Sequence, residues 1–312
     1  MISPKEVPSP QPLVSIALCT YNGQKYISTL LDSVVNQTYK NLEIVIVDDC
    51  STDDTVQIIQ RFSSTDSRIK IFVNSNNIGF NKNFEQAISV TSGDFICICD
   101  QDDVWLPGKV ERLLANLKDN WVIFSNSSLI DATGAPLNKT LINTGRLLNT
   151  TYKSFLFENV LTGHTSLIKR EFLKYYLPIP EFGFYDWYMG FAASYHEKLV
   201  YLNEALTLYR IHESSVTQSE LQASNKMRNK EAMYKFTLGQ LNCFLSYQHL
   251  KHEDKCFLQK LVDAYKAKAY RFSLPLFFMI FKNYQNLFKK ERHGLSKLNF
   301  CYKFSKQVRI ES

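Results

Sequence analysis

The sequence holds no Cys-x-x-Cys pair. Its seven cysteines are Cys19, Cys50, Cys97, Cys99, Cys243, Cys256 and Cys301. The first four lie in or beside apolar, strand-like runs, where a thiol behaves as a small hydrophobe. A disulfide or zinc scaffold is therefore not expected, and a reducing compartment is. No stretch reaches 18 consecutive apolar residues, so no transmembrane helix is expected. The opening "MISPKEVPSPQP" lacks an apolar run after a basic start; it predicts a disordered leader over residues 1–12 rather than a signal peptide. Together these absences point to a cytoplasmic protein. Internal repeats and low-complexity segments are also missing.

What is present fits a globular chain of one large domain or two ordinary ones. It has 312 residues, 45% hydrophobic and 21% charged. The net charge of +6 hides a division. Residues 221–312 hold 18 Lys+Arg against 6 Asp+Glu, or +12, while the other 220 residues hold 18 against 24, or −6. A basic tail on an acidic body calls for an anionic partner. The tail reads as helix only. Its stretch "AYRFSLPLFFMIFKNYQNLFKKERH" (269–293) joins a short apolar core to flanking cations and aromatics. Two readings stand side by side: a helix lying in the interface of an anionic membrane, or a packed helix with Pro275 in its first turn. No nucleic-acid recognition motif accompanies the cations, so a nucleic-acid partner is not expected.

The first two thirds alternate between strand-like and helix-like stretches. "VSIALC" (14–19), "EIVIV" (43–47), "IKIFV" (69–73), "FICIC" (95–99) and "WVIFS" (121–125) are the strands. Amphipathic segments 25–36, 54–62 and 80–90 fall between the first four. This pattern predicts an α/β fold, a Rossmann-like, doubly wound and mainly parallel sheet, followed by a helical C-terminal region. Such sheets bind ligands beyond the carboxyl ends of their strands. That rule gathers "TYNG", "DDCSTDDT" and "DQDD" along one edge.

The last of these, "DQDD" (100–103), is a buried strand ending in three carboxylates. Crowded carboxylates repel one another and resist leaving water, so a positive partner is required. An EF-hand loop counted from Asp100 fails, because Val104 and Trp105 occupy the fifth and sixth positions. A haloacid-dehalogenase-type aspartyl phosphotransferase matches the few residues, but that motif usually opens its fold. A divalent cation, Mg²⁺ or Mn²⁺, bridging protein to a nucleotide diphosphate accounts for the cluster best. The plain structural alternative is capping of the following helix by Asp102 and Asp103.

The segments "VSIALCTYNGQKYISTLLDSVVNQTYKNLEIVIVDDCSTDDT" and "NNIGFNKNFEQAISVTSGDFICICDQDDVWLPGK" resemble family 2 glycosyltransferases of the GT-A fold. "CDQDDVW" and "GFNKNFE" are closest to the bacterial rhamnosyltransferase-like branch. The resemblance is dense over residues 13–110 and thinner to about 215. It implies a catalytic domain over 13–220 and a basic helical region over 221–312. It also implies a nucleotide site that includes Thr20, Tyr21, Asn22, Asp49, Lys82, Asn83 and Asp100, with Tyr21 suited to stacking on the base. Asp48 is expected to turn the strand end. Asp102 is implied as the metal ligand, with His212 of "LTLYRIHESS" reaching the metal or diphosphate. Asp186 of "FGFYDWYMGFAA" is implied as the general base, with Tyr185 standing where the branch has His or Glu. The activity implied is inverting transfer from a nucleotide-diphosphate sugar, dTDP-L-rhamnose by branch resemblance or a UDP-hexose otherwise. The acceptor implied is a surface polysaccharide or lipid-linked glycan at the inner face of the bacterial cytoplasmic membrane. A non-catalytic nucleotide-sugar-binding scaffold is the rival reading.

Overall fold

The computed structural model describes residues 11–142, 151–212, 230–288 and 290–308. Most of the expected leader, residues 1–10, lies outside them, as does the expected domain boundary near residue 221. Gln11 and Pro12 are tied down, their carbonyls accepting from Asn41 and from the Tyr39 hydroxyl.

Strands β1 (Val14–Thr20), β2 (Leu42–Asp48), β3 (Ile69–Val73) and β4 (Phe95–Asp100) pair in parallel in the order β3-β2-β1-β4. Helices α1 (Ile27–Val35), α2 (Thr55–Ser63) and α3 (Phe80–Ser89) connect them, as parallel strands require. Every strand-like run in this part of the sequence is a strand here. Alternation along the strands divides the core. Ala17, Val45, Val47, Ile96 and Ile98 face one side, and Ile16, Leu18, Ile44, Ile46, Cys97 and Cys99 the other. Cys97 and Cys99 are buried and burial pushes both thiols up, Cys97 to about 12, so they pack as inert apolar groups.

Beyond β4 come β5 (Val104–Trp105), α4 (Lys109–Leu117), β6 (Val122–Ile130), β7 (Pro136–Thr140), β8 (Ser166–Lys169), α5 (Leu173–Tyr176), α6 (Tyr185–Tyr195) and β9 (Leu199–Arg210). They extend the same sheet in the order β4-β8-β6-β9-β5, with β7 on β6. Here direction alternates: β8 runs antiparallel to both β4 and β6, β9 parallel to β6, and β5 antiparallel to β9. The doubly wound parallel part is thus the N-terminal half. The second half is mixed because β8 enters from a short 3-10 turn at Gly163–Thr165 rather than from a crossover helix.

Among the described residues, four helices follow: α7 (Lys230–Leu245), α8 (His252–Ala267), α9 (Leu274–Leu287) and α10 (Gly294–Phe304). Leu241, Phe244, Leu261, Leu276, Ile280, Tyr284 and Cys301 share one core with the sheet face and α6. The packed-helix reading of the tail therefore holds for the inner face of α9. Pro275 sits in its first turn and the Ser273 hydroxyl caps Leu276 N–H at 3.3 Å.

At the amino ends of the strands, the buried Glu43 gathers the Ser15 hydroxyl (2.5 Å), Ser92 N–H (2.8 Å), the Ser92 hydroxyl (2.8 Å) and Lys70 Nζ (2.6 Å). Burial alone would raise its carboxyl, but these donors over-compensate and hold it at about 2. We expect Glu43→Gln to cost about 2 kcal/mol at pH 7, as for a lost charged hydrogen bond. A depressed carboxyl stabilises above its usual value and loses that contribution as pH falls through the folded value. The gap between wild type and variant, measured by urea unfolding, should therefore close between pH 4.5 and 2.

Candidate active site

Register assembles the site. In the parallel ladder Thr20 pairs with Asp48 and Cys19 with Asp100, so the carboxyl ends of β1, β2 and β4 stand side by side. Asp48 does turn its strand end: it accepts from the Thr20 hydroxyl (2.7 Å), Ser51 N–H (2.7 Å) and the Ser51 hydroxyl (2.6 Å). Tyr21 is 46% exposed at the mouth. Its backbone is pinned in both directions by the Gln101 side chain, at 2.9 and 3.0 Å. Asn22 adopts a positive φ of 47° and links two loops, receiving Thr52 N–H at 2.8 Å and donating its own N–H to the Ser51 hydroxyl.

The remaining predicted nucleotide residues divide. Asp49 is buried, with oxygens engaged by Ile78 N–H (2.8 Å), Gly79 N–H (2.9 Å) and Asn74 (3.0 Å). It shapes the 74–79 loop at the carboxyl end of β2. Asn83 points into the fold, donating to the Val47 carbonyl and accepting from Asn74. Lys82 stands on the rim, 3.7 Å from Glu181.

The acidic cluster splits more sharply. Asp102 Oδ2 lies 2.7 Å from His212 Nε2, so the two residues implied as metal-binding meet although 110 positions separate them. Asp103 turns inward and is fully buried. It does not cap α4, whose N-cap is Gly108 without a side-chain bond. One oxygen accepts Arg210 N–H at 3.3 Å, and the other has no hydrogen-bond partner. Burial, with the Asp102 and Asp100 charges, pushes its carboxyl well up. Asp100 is pushed up by burial, Asp102 and Asp186, against a hydrogen bond from the Tyr185 hydroxyl.

Two groups that the sequence reading missed complete this cluster. Lys109 is wholly buried, its Nζ donating to the His164 carbonyl at 2.6 Å and lying 3.6 Å from the Trp105 ring centroid. Burial lowers its ammonium, while the neighbouring thiols, Asp103 and Asp100 limit the fall. His164 is buried and stacked on Tyr209 at 4.8 Å, with Nε2 2.9 Å from the Ser127 hydroxyl and Nδ1 3.7 Å from Asp100. Burial and Lys109 hold it neutral, with its value near 3. The only hint in the sequence was a lysine at the head of the helix after "DQDD". His164 sits in a stretch with no motif.

Asp100, Asp103 and His164 offer ligand atoms within 4.8 Å of one another. The donor set suits a divalent cation, and the orphaned Asp103 oxygen is the unmet demand such an ion would satisfy. Lys109, however, already supplies positive charge on the buried side. Asp102 and His212 retain partial exposure, 18% and 10% of their side chains, so that pair fits an ion arriving with its ligand.

Asp186 occupies the first turn of α6. Asn159 Nδ2 donates to one oxygen at 3.0 Å and Gly163 N–H to the other at 3.2 Å. Burial nevertheless raises its carboxyl to about 6. Tyr185 reaches across from the same helix to Asp100, and glycine is required at 163 because a Cβ there would lie 2.1 Å from the Tyr185 hydroxyl. The site therefore couples a basic carboxylate on one wall to a cation-seeking carboxylate set on the other.

A parallel α/β sheet ending in Asp-x-Asp, faced by a helix-borne carboxylate, defines the class of nucleotide-sugar transferases with the GT-A fold. The family model for glycosyl transferase family 2 matches residues 15–177, and the chain belongs to that family. It is 29% identical over 289 residues to the Campylobacter jejuni GalNAc(5)-diNAcBac-PP-undecaprenol beta-1,3-glucosyltransferase, covering 89% of this chain and 86% of that one. It is 37% identical over 145 residues to the Escherichia coli UDP-Glc:alpha-D-GlcNAc-diphosphoundecaprenol beta-1,3-glucosyltransferase WfgD, covering 43% of this chain and 56% of that one. Some curated relatives are matched over as little as 37% of their length. The fold matches the crystal structure of S. aureus TarS 1–349 in complex with UDP-GlcNAc, with TM-score 0.60, 19% identity, and 89% and 82% of the two chains covered.

Removing one member of a buried charge cluster strands the others. Lys109→Met should cost about 3–5 kcal/mol in chemical denaturation at pH 7, and adding Asp103→Asn should recover part of that loss. Equal stabilities for wild type and the single variant would show that Asp103 carries no charge needing compensation.

Proposed function

We propose that the protein is an inverting, metal-dependent glycosyltransferase. It moves a sugar from a nucleotide-diphosphate donor to a hydroxyl of a lipid-linked or surface-polysaccharide glycan. The observation that carries this reading is Asp186, a half-buried carboxylate raised to about 6 whose charge is felt by Asp100 of the Asp-x-Asp strand end. An acceptor hydroxyl is a weak nucleophile, and a base poised near neutrality removes its proton as it attacks the anomeric carbon, an effect of about 10²–10⁴-fold. Asn159 and Gly163 aim both oxygens of that base. On the donor side, Tyr21 offers its exposed ring to the base of the nucleotide, while Asp49 and Asn83 hold the loop that borders it and Asn22 fixes the turn beside it. Thr20 buttresses Asp48, and Lys82 stands at the rim where it can meet donor phosphates.

Asp102 and His212 would hold Mg²⁺ or Mn²⁺, with Asp100 beside them. When bound, the ion stabilises charge on the departing diphosphate. The donor sugar is L-rhamnose on dTDP by motif resemblance. The UDP-hexose alternative is favoured by the relative named for UDP-Glc, and a lipid-linked acceptor by relatives named for undecaprenol-linked substrates. Such an acceptor places the protein peripherally on the inner face of the cytoplasmic membrane.

Asp186→Asn keeps the shape and loses the base. It should retain nucleotide affinity within about twofold and lose transfer by about 10²–10⁴-fold. Wild-type transfer should fall as pH drops below about 6, as Asp186 protonates. Thermal unfolding against dTDP, UDP, GDP and CMP, each with and without Mn²⁺, identifies the donor base, since a ligand of the native state raises its stability. No shift with any nucleotide would overturn the proposed function.

A further inference from the structure

Helix α9 is apolar on both faces. Leu276, Ile280, Tyr284 and Leu287 are buried in the core, whereas Leu274, Phe278 (60% exposed) and Phe281 face outward. On the adjoining α10, Leu295 (84% exposed), Leu298 and Tyr302 do the same, and Tyr270 stands 82% exposed just before α9. These side chains form one surface. Phe272 lies 5.4 Å from Tyr302 and Phe277 5.3 Å from Phe278, while Lys297 Nζ of α10 sits 4.4 Å from the Phe281 ring of α9. An uncovered apolar face of this extent marks an interaction site. Its surroundings are cationic: residues 268–308 hold nine Lys+Arg against the single acid Glu291, with Arg271, Lys282, Lys303 and Lys306 exposed.

We infer that the outer face of α9 and α10 docks on an anionic lipid bilayer, with the aromatic and leucine side chains entering the interface and the flanking cations meeting headgroups. The charge argues against a second copy of the chain, because a two-fold contact through this face would set cations against cations. Among the described residues no helix is long and apolar enough to cross a membrane, so the helices lie along the surface rather than through it. The inference deepens the proposed function by naming the surface that meets the membrane, and it rests on that reading only for the acceptor being lipid-linked.

The buried side of α9 packs against the segment that positions Asp186. Phe288, at the end of α9, stacks on Phe157 at 5.5 Å, two residues before the Asn159 that holds Asp186.

The test is flotation of the full chain with vesicles of phosphatidylcholine containing phosphatidylglycerol, and with phosphatidylcholine alone. Wild type should float with the anionic vesicles and lose binding in high salt. Phe278→Asp and Leu295→Asp, both at exposed positions, should each reduce vesicle binding about tenfold or more without changing Tm or the nucleotide-induced thermal shift. The pair Lys282→Glu with Lys303→Glu should lose about fivefold per cation on anionic vesicles. Wild type remaining unbound, or all variants floating as well as wild type, overturns the inference. So does a solution dimer, seen by sedimentation, that Phe278→Asp dissolves. Because the nucleotide shift is read separately, loss of membrane binding and loss of the glycosyltransferase reading are distinguishable.

Discussion

One ammonium inside the protein makes the acidic edge possible. Asp100, Asp102 and Asp103 leave the sheet within four residues, and ionised carboxylates at such spacing would force the loop apart. Lys109 answers from behind. It is fixed by the His164 carbonyl and the face of Trp105, and its charge lies near Asp100 and Asp103. With that compensation on the buried side, Asp103 can anchor the loop from within while Asp102 stays at the opening. The division between an anchored acid and an available one follows from where the lysine sits.

The second half of the chain completes what the first half begins. Arg210 at the end of β9 donates to the Asp102 carbonyl at 2.9 Å and to the Asp131 carbonyl at 3.3 Å, and its guanidinium lies 4.5 Å from the Tyr26 ring centroid. Two residues on, His212 meets both the Asp102 carboxylate and the same Tyr26 ring, at 4.9 Å. Arg210 has no lone pairs to offer a metal and its Nε and Nη1 groups donate to backbone oxygens, so it positions the Asp-x-Asp loop. The aromatic-Arg-x-His string thus splits its labour: the arginine secures the loop backbone and the histidine meets the Asp102 carboxylate.

The parallel half of the fold and its polar edge were legible because period-2 apolar runs and short polar breaks report strands directly. They fixed the three clusters to one sheet edge before any coordinates. The mixed half was not legible in the same way. β8 is four residues long, and β9 carries Glu204 and alternates only loosely, so neither stands out from loop. Lys109 and His164 were hidden for a different reason. Each is a polar residue whose burial depends on partners far along the chain, and no local pattern announces a tertiary ion pair. Asn83 shows a structural tie at a motif position: its amide joins α3 to the Val47 carbonyl, because an amide there satisfies a strand end.

The helical C-terminal region belongs to the same mechanical unit as the catalytic wall. Trp187, beside Asp186, donates its indole N–H to the Phe155 carbonyl at 2.6 Å and packs against Phe236 and Phe244 of α7. Gln240 of α7 presses on Gly183 just ahead of α6. These helices therefore roof the first turn of α6, where burial raises the Asp186 carboxyl. Without that roof the first turn of α6 would face water, the desolvation that lifts Asp186 would vanish, and its carboxyl would fall back toward the ordinary range. The apolar tail thus bears on the surroundings of Asp186 with its inner face, whatever its outer face touches.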